Sequence, residues 1–257
     1  MKRIITTLFG LLLIQFLVAK NTYSNEGEVK DCFEKLNRAT FALNMGLDKV
    51  IFKPISKGYR KLPSPIRTGT GNALSNLSNL VTIPNNILQG DFGSAANNSA
   101  RLLINTTLGI AGIFDPANSF GFEKRNKEDF GQSLGVMGVG EGCYLVLPVL
   151  GPTTVRDTVG SLIAMNGGDV WHNITVRDDE EYVKEFKESD YWVSRVSSGV
   201  DFRAKNLEAF DAMEKNSVDL YATVRSLYLQ DRKNKINNSS SKTEAMDDGD
   251  WDTLENQ

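Results

Sequence analysis

The sequence predicts a mostly α-helical fold in one domain. Apolar residues recur at helical spacing in several segments, no segment shows the alternation of apolar and polar residues that marks a half-buried strand, and no internal repeat divides the chain. With 257 residues, the chain is long enough for one good hydrophobic core. Its composition, with 40% hydrophobic and 24% charged residues, is ordinary for a globular protein.

The first helices are predicted from apolar spacing and from residues that suit helix starts. Asp31 followed by Glu34 has the form of a capping box, so we expect a helix to begin there. A second helical region from Ile66 to Leu88 is dense in asparagine, and Ser94 is expected to open a third helix. The apolar positions of the first helix are Phe33, Leu36, Leu43, Leu47 and Val50.

Further helices are predicted in the second half of the chain. Thr153 or Thr154 should cap a helix that runs to about Met165 and ends at Gly167 and Gly168. Closer to the C-terminus, apolar and aromatic residues again recur at helical spacing, at Val218, Tyr221, Val224 and Tyr228.

Between these helices lies an apolar segment that is broken like a loop. From Leu134 to Val155 the only charged residue is Glu141, and this is enough chain to cross a bilayer, which takes roughly 20 residues. Five glycines and two prolines interrupt it, however, so it would make a poor lipid-exposed helix. The segment therefore predicts a protein that touches lipid without a conventional membrane span.

Both ends of the chain are expected to lie outside the folded domain. Lys2 and Arg3 precede an apolar run, which is typical of a secretory signal peptide; cleavage after Ser24 fits best, after Ala19 is possible, and an uncleaved N-terminal anchor is the alternative. The last residues hold six acids and one lysine, a composition typical of disorder. The predicted organisation is a signal peptide at 1–24, a polar lead-in at 25–30, a helical domain at 31–236 and a disordered acidic tail at 237–257.

Composition and motifs exclude several functions. A formal net charge of −3 argues against nucleic-acid binding, which needs a basic face. One histidine and two distant cysteines exclude the standard zinc sites, and we predict no metal, no cofactor and no catalytic residue. The two cysteines, Cys32 and Cys143, could form a disulfide in an oxidising compartment or remain buried thiols.

A catalytic alternative rests on Gly131-Gln-Ser-Leu-Gly135, which matches the G-x-S-x-G nucleophile elbow. The residues before it are highly charged rather than strand-like, and the only histidine, His172, follows Ser133 by 39 residues, which is short for that fold. We therefore keep a periplasmic lipid hydrolase using Ser133 as an alternative. A surface or interaction protein, such as a virulence factor acting through its tail and C-terminal helices, is a further one.

Ordered blocks of residues from Asp31 to Arg232 resemble the MlaA (VacJ) family of outer-membrane lipid-asymmetry lipoproteins. The first block contains Asn37, Arg38, Phe41 and Asn44, and later blocks include 86–90 and 105–109. The longest runs from Asp129 through the glycines to Asp157. The C-terminal helices match more loosely.

The resemblance implies a ring of amphipathic helices in the periplasmic leaflet of the outer membrane, with a lipid channel through it. It implies removal of mislocalised phospholipid from the outer leaflet, without covalent chemistry. The implied partners are phospholipid, a trimeric outer-membrane porin and a periplasmic lipid-carrier protein. We expect the segment from Gly135 to Gly151 to form the channel wall and its mobile part, with Gly138, Gly140, Tyr144, Leu145 and Leu147 as candidate lining residues.

The chain departs from the family pattern at its cysteines. The family's lipidated cysteine has no counterpart, since Cys32 lies 13 residues past Ala19, so we expect no acyl anchor. Cys32 and Cys143 each stand where the family has a proline. Because this chain has no other cysteine, the paired replacement favours a disulfide between them.

Overall fold

A computed structural model describes residues 29–177 and 186–237. The predicted signal peptide, most of the lead-in and the tail from residue 238 lie outside the described residues, as does most of the charged stretch before the C-terminal helices. Within the described residues, the fold is one helical domain with a single small β-hairpin, which confirms the predicted fold class.

Between residue 29 and the hairpin, the described chain forms six helices. We number them α1 to α6 in chain order: Glu34–Leu47, Lys53–Arg60, Ser64–Leu88, Phe92–Thr107, Pro116–Ser119 and Phe130–Val136. A π-helical turn, Asp48–Phe52, joins α1 to α2 without a break. The asparagine-rich α3 packs along α4, and this antiparallel pair forms the largest helix contact in the described part of the chain.

After the hairpin, residues 155–177 and 186–237 contain five further helices. Helices α7 to α11 are Val155–Ile163, Val170–His172, Glu188–Lys205, Leu207–Asn216 and Leu220–Ile236. Thr154 caps α7 by accepting a hydrogen bond from the Asp157 amide at 3.2 Å, as predicted. The helix then passes into a π-helical turn, Ala164–Gly168, which ends it at the predicted pair of glycines.

Two predicted helix caps are wrong. Helix α1 begins after Phe33 without a side-chain cap, because the carboxylate of Asp31 is engaged elsewhere, accepting hydrogen bonds from Asn37 at 2.7 Å and from the Tyr221 hydroxyl. Helix α4 begins at Phe92, two residues before Ser94. Its cap is the Asp91 carboxylate, which accepts a hydrogen bond from the Ser94 amide at 2.9 Å.

Although the sequence shows no alternating strand pattern, the described residues contain one short β-hairpin. Strand β1, Tyr144–Leu147, pairs antiparallel with β2, Gly151–Thr154, in a register that sets Tyr144 opposite Thr154. Each strand has only four residues, and Pro152 sits in the second, so neither is long enough to show a period of two. Side chains of β1 alternate between buried and half-buried positions, as expected for a strand with one face on a core.

An aromatic cluster forms the core behind the hairpin. Tyr144, Val146 and Tyr221 are buried there, and Phe41 and Tyr228 pack against them. The Tyr144 ring meets the rings of Tyr221 and Tyr228 edge to face, with centroids 6.1 and 6.2 Å apart. The cluster thus joins α1, the hairpin and the C-terminal helix α11.

Helices α6 and α7 cross at a contact between two glycines. A Cβ atom at Gly160 would overlap the backbone of Gly131, so only glycine allows the two helices to approach this closely. Next to this crossing, Arg232 of α11 donates to Asp129 at 2.6 Å and to Asp157 at 2.8 Å. These ion pairs fix the C-terminal helix against the middle of the domain.

No helix within residues 29–177 and 186–237 combines the length and the hydropathy that a transmembrane span requires.

Candidate functional site

The described residues bury polar side chains and expose apolar ones. Twenty-one polar or charged residues are buried, against nine hydrophobic ones, while 33 large hydrophobic residues are exposed. In water-soluble proteins the buried residues are mostly apolar, and asparagine, arginine and aspartate are mostly at the surface. Where exposed apolar residues form a contiguous patch, they mark a site of contact with membrane or protein.

Helix α1 shows this inversion most clearly. Four of the five apolar residues whose spacing predicted the helix face outward, and their side chains are 54 to 76% exposed: Phe33, Leu36, Leu43 and Val50. The inward face instead carries Asn37, which is 2% exposed, and Asn44 one heptad later. We call the four outward residues the α1 stripe.

Asn37 and Asn44 hold the hairpin through its backbone. The Asn37 amide donates to the Tyr144 carbonyl at 3.0 Å and accepts from the Val146 amide at 2.9 Å. Asn44 repeats the arrangement farther along, bonding the Leu147 carbonyl at 2.9 Å and the Val149 amide at 2.8 Å. Two side chains therefore satisfy the free edge of β1, where another strand would otherwise bind.

A disulfide between Cys32 and Cys143 fastens the base of the hairpin. Their Cα atoms lie 5.6 Å apart, within the range that a disulfide requires, and the closed loop spans 111 residues. Beside it, the Tyr144 amide donates to the Lys30 carbonyl at 2.9 Å. The chain before α1 thus runs against the start of β1 and is covalently tied to it.

The five candidate channel residues fall into three environments. Gly138 and Gly140 are exposed in the loop before the hairpin, and Gly138 has a φ of +87°, which glycine adopts without strain. Tyr144 is fully buried in the aromatic core, and its burial raises the pKa of its hydroxyl to about 12. Leu145 and Leu147 are half-buried on the opposite face of β1. The contact of Leu145 and Leu147 with lipid stays a prediction. Tyr144 has no exposed surface, so it cannot itself line a lipid path.

An apolar pocket of about 180 Å³ lies beside the turn of the hairpin. Its walls come from α1, the turn, α10 and α11 and include Phe41, Val149, Phe210, Met213 and Val224. The turn itself, between β1 and β2, is strongly apolar and outward-facing, since Val149 is 60% and Leu150 is 74% exposed. Val149 has a positive φ of 66°, which gives a β-branched residue a strained backbone.

Two carboxylates near the α6–α7 crossing, half-exposed Asp129 and buried Asp157, are paired with Arg232. Burial alone would raise the pKa of Asp129, but the hydrogen bonds and the charge of Arg232 outweigh it and lower this pKa to about 2. The Tyr228 hydroxyl donates to Asp157 at 2.5 Å, and burial followed by the charge of Asp157 raises the pKa of Tyr228. These groups are held in fixed ionisation states near neutral pH, which suits structural roles rather than proton transfer.

Ser133 lies in a setting that does not suit a nucleophile. It is 2% exposed, and its hydroxyl donates to the Asn85 amide oxygen at 2.6 Å and accepts from Gln89 at 3.2 Å. An activated serine needs a basic partner, usually histidine. The ring of His172 packs instead on Tyr191, with centroids 4.9 Å apart. Within the described ranges, no three potential ligands gather into a metal-binding cluster.

The sequence profile of the MlaA lipoprotein family matches residues 29–235. The chain belongs to the MlaA lipoprotein family. It is 34% identical over 232 residues to an uncharacterized protein of Rickettsia prowazekii, covering 87% of each chain. It is 29% identical to the intermembrane phospholipid transport system lipoprotein MlaA of Haemophilus influenzae, covering 96% of each chain.

A solved structure has the same fold. It comes from work on the structural basis for maintenance of bacterial outer membrane lipid asymmetry, and it is 30% identical with a TM-score of 0.65. The match covers 80% of this chain and 99% of the other. Together with the MlaA relatives, it confirms the resemblance that the ordered motifs indicated.

Among the residues that position the hairpin, sequence reasoning did not recognise Asn37 and Asn44 as its anchors. Both stand in the first block of the MlaA pattern, so the signal was present, but only a fold shows that the two amides meet the edge of a strand. Sequence reasoning also missed Arg203, which no motif marks and which reaches the pocket only through the tertiary fold. Val149 lies in the predicted channel-wall segment but was not singled out as a lining residue.

Proposed function

We propose that this MlaA-family protein is a phospholipid translocation channel without enzymatic activity. It removes mislocalised phospholipid from the outer leaflet of the outer membrane and passes it into retrograde intermembrane transport. The observation that carries the proposal is the inverted polarity of the domain, with buried asparagine and arginine and an exposed apolar surface. Membership of the MlaA lipoprotein family supports the same reading, since relatives in two bacteria are named for intermembrane phospholipid transport.

The proposed position of the domain is the periplasmic leaflet of the outer membrane, after export by the signal peptide. The α1 stripe and the turn at Leu150 are apolar surfaces that a single leaflet would cover. We propose that these surfaces, together with contacts to a trimeric porin, hold the protein there without an acyl chain. A periplasmic lipid carrier then receives the phospholipid.

Within this channel, we assign the hairpin and the loop before it to the lipid path. Leu145 and Leu147 supply half-buried apolar side chains on one face of β1, and Gly138 and Gly140 allow close approach of the backbone. Tyr144 supports this wall from inside the core. Because the Cys32–Cys143 bond and the two asparagines fasten β1, we assign the mobile part of the segment to the loop at 136–142 and to the turn at 148–150 rather than to the strands.

The test is lipid asymmetry in cells whose own MlaA lipoprotein has been deleted. Expression of this chain should restore detergent resistance and reduce labelling of phosphatidylethanolamine at the surface of intact cells. Leu145→Glu or Leu147→Glu should abolish the rescue while the protein still accumulates, because a charge on an apolar path repels acyl chains. Rescue by both charged variants would refute this assignment of the lipid path.

Two variants separate the channel from the alternatives. Ser133→Ala should retain full rescue, whereas a lipid hydrolase that uses Ser133 would lose it. Deletion of 238–257 should also be tolerated by a channel, whereas a surface protein that acts through its tail would lose its function.

A further inference from the structure

The apolar pocket beside the hairpin turn is built from parts of the chain that are far apart in sequence. Phe41 and Phe52 come from α1 and the turn after it, Val149 from the hairpin, and Met213 and Val224 from α10 and α11. The Arg203 guanidinium lies over the Phe210 ring, 4.7 Å from its centroid, at one wall. The pocket therefore exists only when the C-terminal helices are docked on α1 and the hairpin.

The polar side chains on its lining have partners within the protein, although one buried nitrogen of Arg203, Nη1, has no hydrogen-bond partner. The side-chain amide of Asn44 donates to the Leu147 carbonyl and accepts from the Val149 amide, so both of its polar atoms bond the hairpin backbone. Asp48 accepts two hydrogen bonds from Arg203, at 2.8 and 2.9 Å, and Glu214 pairs with Lys49 at 2.6 Å. The surface that remains for a ligand is mostly hydrocarbon, so a molecule bound there must offer mainly hydrocarbon in return.

The volume limits how much of a ligand can enter. An engineered apolar cavity of about 150 Å³ in another protein holds one benzene molecule. A pocket of about 180 Å³ therefore suits part of one hydrocarbon chain and is too small for a whole phospholipid. Val149 both lines the pocket and is 60% exposed, so the pocket opens at the apolar turn.

We propose that this pocket binds the end of one acyl chain of a phospholipid, entering past Val149 and Leu150. The inference rests on the proposed function for the source of the chain, since a transported phospholipid brings acyl chains to the hairpin. The pocket holds one chain by burial alone, and the head group stays outside it. Because Asn44 fixes the start of the turn, the entrance has a set position relative to α1.

The experiment uses the full chain in vesicles of phosphatidylethanolamine and phosphatidylglycerol. The probe is a phosphatidylglycerol that carries a photoactivatable diazirine near the methyl end of one chain. After illumination, mass spectrometry should place crosslinks on pocket residues such as Met213 and Val224. Crosslinks only on the α1 stripe, with none in the pocket, would overturn the proposal.

Variants on α10 provide a matched pair. Met213→Trp fills the pocket and should reduce its labelling at least tenfold, whereas Ala212→Trp adds the same side chain at an exposed neighbouring position and should leave labelling unchanged. Val224→Trp fills the same space from α11 and should repeat the loss. Undiminished labelling of pocket residues in both filled variants would contradict the proposal. The positions of the crosslinks in the wild-type protein test the proposal even where a variant does not fold.

The source of the chain is tested with palmitic acid that carries the same diazirine. Labelling of the pocket by palmitic acid but not by phosphatidylglycerol would overturn a phospholipid as the ligand. Rescue of detergent resistance by the wild-type chain is measured separately. Failure of this rescue would refute the channel function but not acyl-chain binding in the pocket. Normal rescue with an unlabelled pocket would refute acyl-chain binding alone.

Discussion

Asparagine side chains occupy interior positions in this fold that apolar side chains fill in most soluble proteins. Asn76, Asn85, Asn86, Asn98 and Asn105 are all buried along α3 and α4. Their amides bond one another and nearby side chains, as where Asn98 donates to Asn86 at 2.9 Å. Such bonds give the interior directional specificity, and they leave the apolar residues free to face outward.

Asn37→Ala tests how much one buried asparagine amide contributes to the stability of the folded protein. The change leaves the Tyr144 carbonyl and the Val146 amide without their partner in a buried place, which should cost about 2–4 kcal/mol of unfolding free energy. Thermal or urea unfolding in mild detergent measures it. Asn97→Ala removes an exposed bond to Glu123 and is the control, expected to change stability by less than about 1 kcal/mol. Equal effects of the two changes would contradict the anchoring role of Asn37.

Asp129 should make stability depend on acid pH. Its pKa is lowered in the folded protein to about 2 from an ordinary value of 3.8, because Arg232 outweighs the effect of burial. A carboxylate with a lowered pKa stabilises the fold above its unfolded pKa, and that stability is lost as the pH falls through its folded pKa. The difference in unfolding free energy between wild type and Asp129→Asn should therefore shrink between pH 4 and pH 2. A difference that stays constant over this range would rule out the Arg232 pairing as its cause.

At the scale of residues, the sequence predicted some roles well and others not at all. The cap of α7 was narrowed to Thr153 or Thr154, and Thr154 is the cap, because helix capping is local chemistry. Asp31 was misread as a cap because its true partners, Asn37 and Tyr221, include one that lies 190 residues away. The lining roles of Gly138, Gly140, Leu145 and Leu147 stay predictions, since they depend on how lipid meets the fold.

Helices were predicted more reliably than the hairpin. The long α3 falls in the predicted asparagine-rich helical region, and the C-terminal α11 follows from periodic spacing, although Val218 lies outside α11 and is fully exposed. The hairpin could not be predicted, because its strands have four residues each and its free edge is satisfied by side chains of α1 rather than by a third strand. Long-range partners of this kind leave no periodic signal.

The crossing of α6 and α7 should not tolerate a side chain at Gly160. Gly160→Ala would drive its Cβ into the backbone of Gly131, and overpacking of a tight contact typically costs about 1–3 kcal/mol. Gly46→Ala in α1 is the matched control, since nothing lies within 4 Å of its added Cβ. This second change should stabilise the protein by about 0.5–1 kcal/mol, because alanine favours a helix over glycine. Melting temperatures of the two variants should move in opposite directions, and a shift in the same direction would contradict the close crossing.

The disulfide should stabilise the attachment of α1 to the hairpin. By restricting the unfolded chain, an unstrained disulfide that closes a loop of 111 residues should stabilise the folded state by about 4–5 kcal/mol. Unreduced, denatured protein should resist alkylation at both Cys32 and Cys143, and reduction should lower the melting temperature. A Cys32→Ser, Cys143→Ser double variant is the control, since reductant should not change its melting temperature. Alkylation of both thiols without reductant would disprove the bond.

At the scale of the whole molecule, the apolar residues divide between a buried core and an exposed outer surface. A small aromatic cluster around Tyr144 forms the core, while the α1 stripe and the hairpin turn lie outside. Helical periodicity in the sequence identified the helices correctly but could not tell which face would be inward, because a membrane-facing stripe and a core-facing stripe have the same spacing. The structure supplies that distinction, because it places Asn37 and Asn44 of α1 inward against the hairpin.

The α1 stripe should bind the domain to lipid without an acyl chain. Leu36→Glu with Leu43→Glu places two charges on side chains that are 65% and 54% exposed, so folding should be preserved while burial in a leaflet becomes costly. Flotation with vesicles of phosphatidylethanolamine and phosphatidylglycerol should fall at least tenfold for this double variant. Ser226→Glu with Gln230→Glu adds the same charges to exposed polar positions of α11 and should still float. Mass spectrometry of the mature N-terminus completes the test, because a diacylglyceryl group there, or unchanged flotation of the stripe variant, would show that something other than the stripe anchors the protein.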